Sequence, residues 1–579
     1  MRVRPEPSPQ PTPIDAALRC FAHDVTSGAR NLPPGLPILS GRHITPVKGV
    51  QTSMRKLPLA IALAALLLGT ASAADKKDKS TPDEPKPEAA LLKPQASTSE
   101  GSVSVEGKRI SYKAVAGTIV LHGKGDKENE PTASVFYVAY FKKGADAAKR
   151  PVTFIYNGGP GSATVWLHMG AFGPRRVVTS DDSHTPAAPY QLVNNDYSLL
   201  DASDLVFIDA PGAGFSRLVA NDPDASKREG QMGDRRKELY SVDGDGHAFA
   251  QFITQFLSRY GRWNSPKYLF GESYGTTRSA VVANDLENED SVDLNGVILL
   301  SQILNFDTSV DGADQNPGID LPYELALPTY AATAYYHHKL PQQPGDLEPF
   351  LQEVEQFALG DYAQALMQGS RIDDARKQAV AEKLHQYTGL SVSYLMKANL
   401  RVTGGMFEHE LLGDTDDTTG RLDTRFSGPS LDPLSKEAEY DPQSSAISSA
   451  YIAAFNDYVR KDLKFGQDLN YREFADVKEW IFKHNDHDGT VNVMPDLAMA
   501  MKTNPNLKVF LNGGYYDLAT PFFAADYEMH HIPVQPQLMN NVTYAWYPSG
   551  HMVYAHEASL KLLHDNVAHF IEQTDNVKH

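Results

Sequence analysis

The sequence predicts an α/β protein, with a mostly parallel central sheet flanked by helices and a helical cap inserted between two parts of the sheet. Three observations predict it. Short, nearly continuous apolar runs recur along the chain, as strands buried on both faces require. Segments of helical period lie between them, giving a strand–helix–strand order. A long stretch of purely helical character then interrupts the alternation before it resumes.

The first hundred residues precede that pattern. Residues 1–53 are rich in Pro and Arg and show neither helix nor strand period. Met54-Arg55-Lys56 is a positively charged start, Leu57 to Leu68 is apolar apart from Pro58, and Gly69-Thr70-Ala71-Ser72-Ala73 is a run of small residues. That order predicts a secretory signal peptide over 54–73, cleaved after Ala73, and hence an exported protein, periplasmic or secreted. Because a signal peptide works from the N-terminus, 1–53 reads as an upstream extension, and translation from Met54 or from Met1 both stay open. The apolar run is short for a transmembrane helix, so no stable membrane insertion is expected after cleavage. Residues 74–98 are Lys, Asp, Glu, Pro and Ser with little to bury, which predicts a flexible tether.

The first part of the core is placed at 99–305. Val103, Val105, Ile110, Val115, Ile119 and Leu121 alternate with polar residues, and Val135 to Tyr140 follows, as in antiparallel strands. Val152–Tyr156, Leu205–Ile208, Tyr268–Phe270, Val297–Leu300 and Val509–Leu511 are the buried parallel type. Phe249, Phe252, Phe256 and Tyr260 recur at helical spacing before the 268–270 run. From 306 to 490 the pattern is helical, with an amphipathic segment through Leu347, Phe350, Leu351, Val354, Phe357 and Ala358, and further helices at 372–387 and 445–463. This stretch is predicted to be the cap. Strand and helix resume over 491–579, the second part of the core.

Composition excludes several functions. The formal net charge of −18 repels phosphate backbones, so no nucleic-acid partner is expected. The one cysteine, Cys20, precedes the predicted cleavage site, which leaves the mature chain without disulfides, thiol catalysis or cysteine metal sites. No His-Glu-x-x-His string occurs. His484-Asn485-Asp486-His487-Asp488-Gly489 echoes a calcium loop, but Pro495 stands where its twelfth ligand belongs, and the segment reads as a turn, with a calcium site the minor alternative. No metal and no cofactor are expected, and the oligomeric state is open.

The chemistry is concentrated in a few strings. Gly271-Glu272-Ser273-Tyr274-Gly275 lies between an apolar strand and a helix-forming stretch through Ala280, Val281, Val282 and Leu286. In that setting Gly-x-Ser-x-Gly makes a sharp turn that exposes the Ser273 hydroxyl at the sheet edge; the competing reading is an ordinary turn serine. A serine nucleophile needs a base, and the base an orienting carboxylate. Asp517, in Asn512-Gly513-Gly514-Tyr515-Tyr516-Asp517, and His551, in Pro548-Ser549-Gly550-His551-Met552-Val553, each follow an apolar strand. Both therefore fall on the edge where Ser273 belongs. Asn157-Gly158-Gly159-Pro160-Gly161 follows the first buried strand and can turn backbone N–H groups toward an oxyanion, with the Tyr274 N–H as a second donor. Taken alone, that string fits a tight structural turn equally well.

Together with Asp209-Ala210-Pro211-Gly212-Ala213-Gly214-Phe215-Ser216 and Gly550-His551-Met552, these strings resemble the serine carboxypeptidases, a family within the α/β-hydrolases. The likeness is dense over about 150–300 and 507–555 and thin across the cap. It implies an α/β-hydrolase fold and hydrolysis of C-terminal peptide bonds through an acyl-enzyme, with no cofactor and with substrates that carry a free terminal carboxylate. By position it implies Ser273 as nucleophile, His551 as general base then acid, and Asp517 as its orienter. Gly159 and Tyr274 would be the oxyanion donors, and Asn157 and Glu272 the groups binding the substrate carboxylate. A glutamate facing a carboxylate must share a proton with it, so an acidic pH preference follows. The alternative is an esterase or acyltransferase using the same Ser-Asp-His groups.

The sequence departs from the family at four places. Ser162 stands where the family usually has Cys, and Gly170-Ala171-Phe172 offers no glutamate where members commonly carry one. The nucleophile is followed by Tyr274-Gly275-Thr276-Thr277-Arg278 rather than Tyr-Ala-Gly, with Arg278 a candidate to compensate by charge. Ser301-Gln302-Ile303-Leu304-Asn305 replaces a Gly-Asn motif. These gaps touch the terminal-residue specificity more than the catalytic groups.

Overall fold

The computed structural model describes residues 91–577. The predicted upstream extension, the signal peptide and most of the tether lie outside the described residues. Nine strands build the main sheet: β1 (Ala96–Val105), β2 (Lys108–His122), β3 (Pro131–Lys142), β4 (Val152–Tyr156), β5 (Asp204–Ile208), β6 (Lys267–Glu272), β7 (Gly296–Leu300), β8 (Lys508–Gly514) and β9 (Val542–Tyr547). Their order is β1-β2-β3-β5-β4-β6-β7-β8-β9, with the two-residue strand Arg217–Leu218 on β3 as a tenth member. β1 to β3 pair antiparallel, β3 joins β5 and the Arg217–Leu218 strand antiparallel, and the rest of the sheet is parallel.

Strand β1 begins at Ala96, within the segment predicted as tether (74–98). Its first residues alternate polar side chains with no apolar face, and only Val103 and Val105 are buried. What orders it is a ten-residue backbone ladder to β2, which leaves no hydrophobic signal in the sequence.

The continuous apolar runs are explained by the two faces they serve. In β7, Val297 and Leu299 join one core, while Ile298 and Leu300 join the other. The first face is covered by α1 (Val242–Tyr260), α2 (Tyr274–Asn288) and α8 (Met494–Thr503), through Phe249, Phe252, Phe256, Leu286, Leu497 and Met501. The second is covered by α7 (Pro442–Lys461) and α10 (Glu557–Thr574), through Tyr451, Phe455, Leu560, Leu563 and Ile571. Each fully buried side chain of this kind contributes about 1.5–3 kcal/mol.

The insertion at 306–490 divides in two. Helices α3 (Leu321–Tyr336), α4 (Leu347–Phe357), α5 (Asp374–Thr388) and α6 (Gly404–Leu411) form the cap with a core of their own, in which Tyr330 stacks on Phe407 at 4.1 Å. That core also takes in Tyr516, Leu518, Phe522 and Phe523, from the β8 loop and α9 (Phe522–His530). The predicted cap helix at 445–463, by contrast, is α7 and packs on the sheet. Its apolar stripe through Ile447, Ala450, Tyr451, Ala454, Phe455 and Tyr458 guarantees a buried face, but periodicity does not say which core receives it. Among the described residues, no helix is long and apolar enough to cross a membrane.

Candidate active site

Parallel strands deliver their following loops to one edge, and the predicted site residues all sit there. Ser273 is the N-cap of α2, directly after β6, with φ 61° and ψ −133°. A non-glycine residue in that region carries about 1–3 kcal/mol of strain. The turn is held by the Ser273 N–H donating to the Leu300 carbonyl of β7 at 2.9 Å. Gly271 is required because any Cβ there would collide with the Gly275 carbonyl oxygen as α2 folds back over the strand. Ser273 itself stays part-exposed while Glu272 and Tyr274 beside it are buried.

Asp517 and His551 arrive on the loops after β8 and β9. The His551 Nδ1–H donates to Asp517 Oδ2 at 2.8 Å. Asp517 is 0% exposed and is held by Thr520, whose N–H reaches Oδ1 at 3.0 Å and whose hydroxyl reaches Oδ2 at 2.7 Å. Burial works against a charge on His551, but the Asp517 carboxylate and its hydrogen bond outweigh it and raise the pKa above the usual histidine value. The ring's backbone is pinned from two sides: its carbonyl accepts from Ser301 Oγ at 2.7 Å, and its N–H donates to the Leu422 carbonyl at 2.6 Å. Among the described residues, no hydrogen bond joins Ser273 Oγ to His551. The structure therefore brings Asp517 and His551 into contact and leaves the serine–imidazole link open, as catalytic contacts often are before substrate tightens them.

The loop after β4 packs against the elbow. A Cβ on Gly158 would stand 2.5 Å from the Tyr274 nitrogen and 2.7 Å from the Gly275 nitrogen, so only glycine admits this approach. It sets the exposed Gly159 beside the first turn of α2. The Tyr274 N–H has no intrahelical acceptor at that position, and neither it nor the Gly159 N–H has another acceptor among the described residues.

Asn157 and Glu272 meet directly. Asn157 Nδ2 donates to Glu272 Oε2 at 2.7 Å, and the Tyr554 hydroxyl donates to the same oxygen at 2.8 Å. Glu272 is 3% exposed. Burial pushes its pKa up to about 7, against the opposing pull of His551 and the two donors. Asn157 is oriented by the Leu167 N–H, which donates to its Oδ1 at 3.1 Å.

The four departures from the family pattern now have physical accounts. Arg278 does not turn its charge toward the site. It is wholly buried, donates to Asp245 at 2.6 Å, lies 4.2 Å over the Phe249 ring, and braces the Asn157 carbonyl at 2.7 Å. Ser162 donates to the Ala163 carbonyl and accepts from Trp166 Nε1. The 301–305 segment supports His551 through Ser301 and is anchored on buried Glu528 through Gln302, Leu304 and Asn305. At Gly170 a side chain would strike the Tyr451 hydroxyl and the Tyr554 ring. The segment echoing a calcium loop is a turn whose His484 bridges Asp243 at 2.5 Å and Asp496 at 2.8 Å.

Three residues that matter here carried no sequence prediction. Thr520 had a local signal, since Asp-x-x-Thr is a spacing at which a side chain closes a turn. Tyr451 and Tyr554 had none, because each reaches Glu272 or Gly170 only through tertiary packing.

Reactive groups gathered on one edge of a parallel sheet, with a serine at the strand–helix elbow, make this an α/β-hydrolase. The family model described as serine carboxypeptidase matches residues 113–553, most of the chain, and the protein belongs to that family. Its solved structural relatives include a proline iminopeptidase from Mycobacterium smegmatis, 13% identical, with a TM-score of 0.33 over 79% of this chain and 98% of that one. Another is an esterase from Thermogutta terrifontis, 10% identical, with a TM-score of 0.28 over 82% of this chain and 99% of that one. Among curated proteins none matches the sequence.

Proposed function

We propose that this protein removes C-terminal residues from peptides as a serine carboxypeptidase. The observation that carries the reading is the buried Asn157–Glu272 pair. A carboxyl whose pKa is pushed up to about 7 stands next to the elbow serine, fit to give a proton to a substrate's terminal carboxylate. Ser273 Oγ attacks the last peptide carbonyl as His551 takes its proton, and Asp517 holds the imidazolium in place. The Gly159 and Tyr274 N–H groups receive the oxyanion. His551 then protonates the leaving amine, and water repeats the sequence on the acyl-enzyme.

This chemistry needs Glu272 protonated and His551 neutral. The two groups feel each other's charge, so their protons come off as a pair. Glu272 is mostly protonated below about 7, and a raised His551 becomes neutral only above the usual imidazole range. The productive arrangement thus holds one proton between the two, and a substrate carboxylate favours its placement on Glu272.

A second reading, an ester-cleaving or acyl-transferring enzyme, draws on the absence of a glutamate from Gly170-Ala171-Phe172, a segment where family members commonly carry one. The test is mass spectrometry of a defined peptide and its C-terminal amide, incubated with the protein from about pH 4 to 8, with Ser273→Ala as control. Stepwise loss from the free acid alone, absent in the control, supports the carboxypeptidase. An untouched peptide with Ser273-dependent ester hydrolysis moves the assignment to the second reading.

A further inference from the structure

Two phenols crowd the backbone at Gly170. A side chain on Gly170 would meet the Tyr451 hydroxyl and stand 2.7 Å from Tyr554 Cδ2. Tyr451 comes from α7 and is set by Trp166, 5.3 Å away ring to ring. Its hydroxyl takes no hydrogen-bond partner among the described residues, yet it is not among the unpaired polar atoms sealed from solvent. The same holds for Glu272 Oε1, while Oε2 already accepts from both Asn157 and Tyr554.

That asymmetry locates the proton. The hydroxyl oxygen of a protonated carboxyl is a poor acceptor, so the oxygen taking two donors is the carbonyl one, and the proton resides on Oε1. Two open O–H groups, Glu272 Oε1–H and Tyr451, are then left at the end of the site. We propose that they form a carboxyl–phenol pair that receives the substrate's terminal carboxylate. Tyr554 is the positioning residue that, with Asn157, keeps the Glu272 proton on Oε1. This deepens the carboxypeptidase reading and rests on it. The charged or titratable groups facing Glu272 are His551 and Asp517 from the β9 and β8 loops, Tyr554 from the segment after His551, and Tyr451 from α7. Burial raises the phenol pKa of Tyr451 and Tyr554 further above the usual range, so both stay donors wherever the enzyme works. A pair of carboxyls would lose two donors as pH rises; this pair loses one.

The experiment compares Tyr451→Phe and Tyr554→Phe with the unmodified protein, on a blocked dipeptide with a free carboxylate and on a p-nitrophenyl ester without one. Tyr451→Phe is expected to raise KM for the dipeptide about tenfold or more, as loss of a hydrogen bond to a charged group does. Its kcat, its alkaline limb and its ester hydrolysis are expected to hold. Tyr554→Phe removes a donor that favours ionised Glu272, so the alkaline limb for the dipeptide is expected to move to higher pH while ester hydrolysis is kept. An unchanged dipeptide KM in the first variant, or equal losses on both substrates, overturns the assignment. Infrared titration of the protonated carboxyl band, assigned with Glu272→Gln, decides the positioning role without turnover. A band that persists to higher pH in Tyr554→Phe supports it, and an unmoved band sinks it. Should the unmodified protein leave the dipeptide intact, the carboxypeptidase reading fails by itself, and the band still tells whether Tyr554 governs Glu272.

Discussion

The two ends of the site are built differently. The end proposed to be catalytic, Ser273 with Asp517 and His551, comes entirely from loops that directly follow strands β6, β8 and β9. The proposed carboxylate end, Asn157 and Glu272, also begins on strand ends, but Tyr554 from the segment after His551 hydrogen-bonds Glu272, and Tyr451 from a helix of the insertion packs at Gly170. In the proposed mechanism bond making is tied to sheet topology, whereas recognition also draws on the helix packed over the sheet. Families that share a triad can change specificity at the second end without touching the first.

The insertion nonetheless reaches the catalytic end as well. Segment 421–425 runs between the two loops: Leu422 accepts from the His551 N–H, the Leu518 N–H donates to Arg421, and Asp423 accepts from the Gly550 N–H at 3.1 Å. Tyr516 and Leu518 are buried in the cap core on either side of Asp517. The cap thus packs against both chain neighbours of Asp517.

Three substitutions or conditions would break or sharpen the contrast. The largest effect belongs to Asp517→Asn, which keeps the shape but loses the charge that orients and stabilises His551. A fall in kcat on the order of 10⁴ is expected for peptide and ester alike. A loss confined to peptides would show that the two ends are not separable. Next is Gly158→Ala. Its Cβ has no room beside the Tyr274 and Gly275 nitrogens, so the β4 loop must withdraw. A loss of about 10²–10³ in kcat on both substrates is expected, with a native circular dichroism spectrum and a lowered Tm because the displaced loop loses its packing; retained activity would move the oxyanion donors elsewhere. The smallest is a difference between pH profiles. Peptide cleavage is expected to decline as pH rises through about 7, where Glu272 loses its proton, while ester cleavage continues because it asks nothing of that carboxyl. Glu272→Gln keeps a neutral donor at every pH, so it should flatten the peptide decline. Superimposable profiles in the parent protein would remove Glu272 from recognition.

The sheet was legible because strands buried on both faces must be apolar throughout, and Val297–Leu300 or Val152–Tyr156 can hardly be anything else. The start of β1 leaves no such trace, because backbone pairing, not burial, orders Ala96–Ser102. The period of α7 announces a buried face, but the layer that receives it is set by the sheet core and not by the period. The charge of Arg278 is plain in the sequence, but not that Asp245 pairs with it within the core.

By itself the sequence determined the α/β class, the chain positions of the reactive residues and the edge on which they would meet. Motifs at strand ends are local, and local geometry follows from a few consecutive residues. The tertiary structure alone decided that Tyr451 and Tyr554 fill the space above Gly170, that Arg278 faces inward, and that the insertion braces His551. Those contacts join residues separated by up to several hundred positions. They depend on how side-chain volumes close around one another, which neither periodicity nor motif spacing encodes.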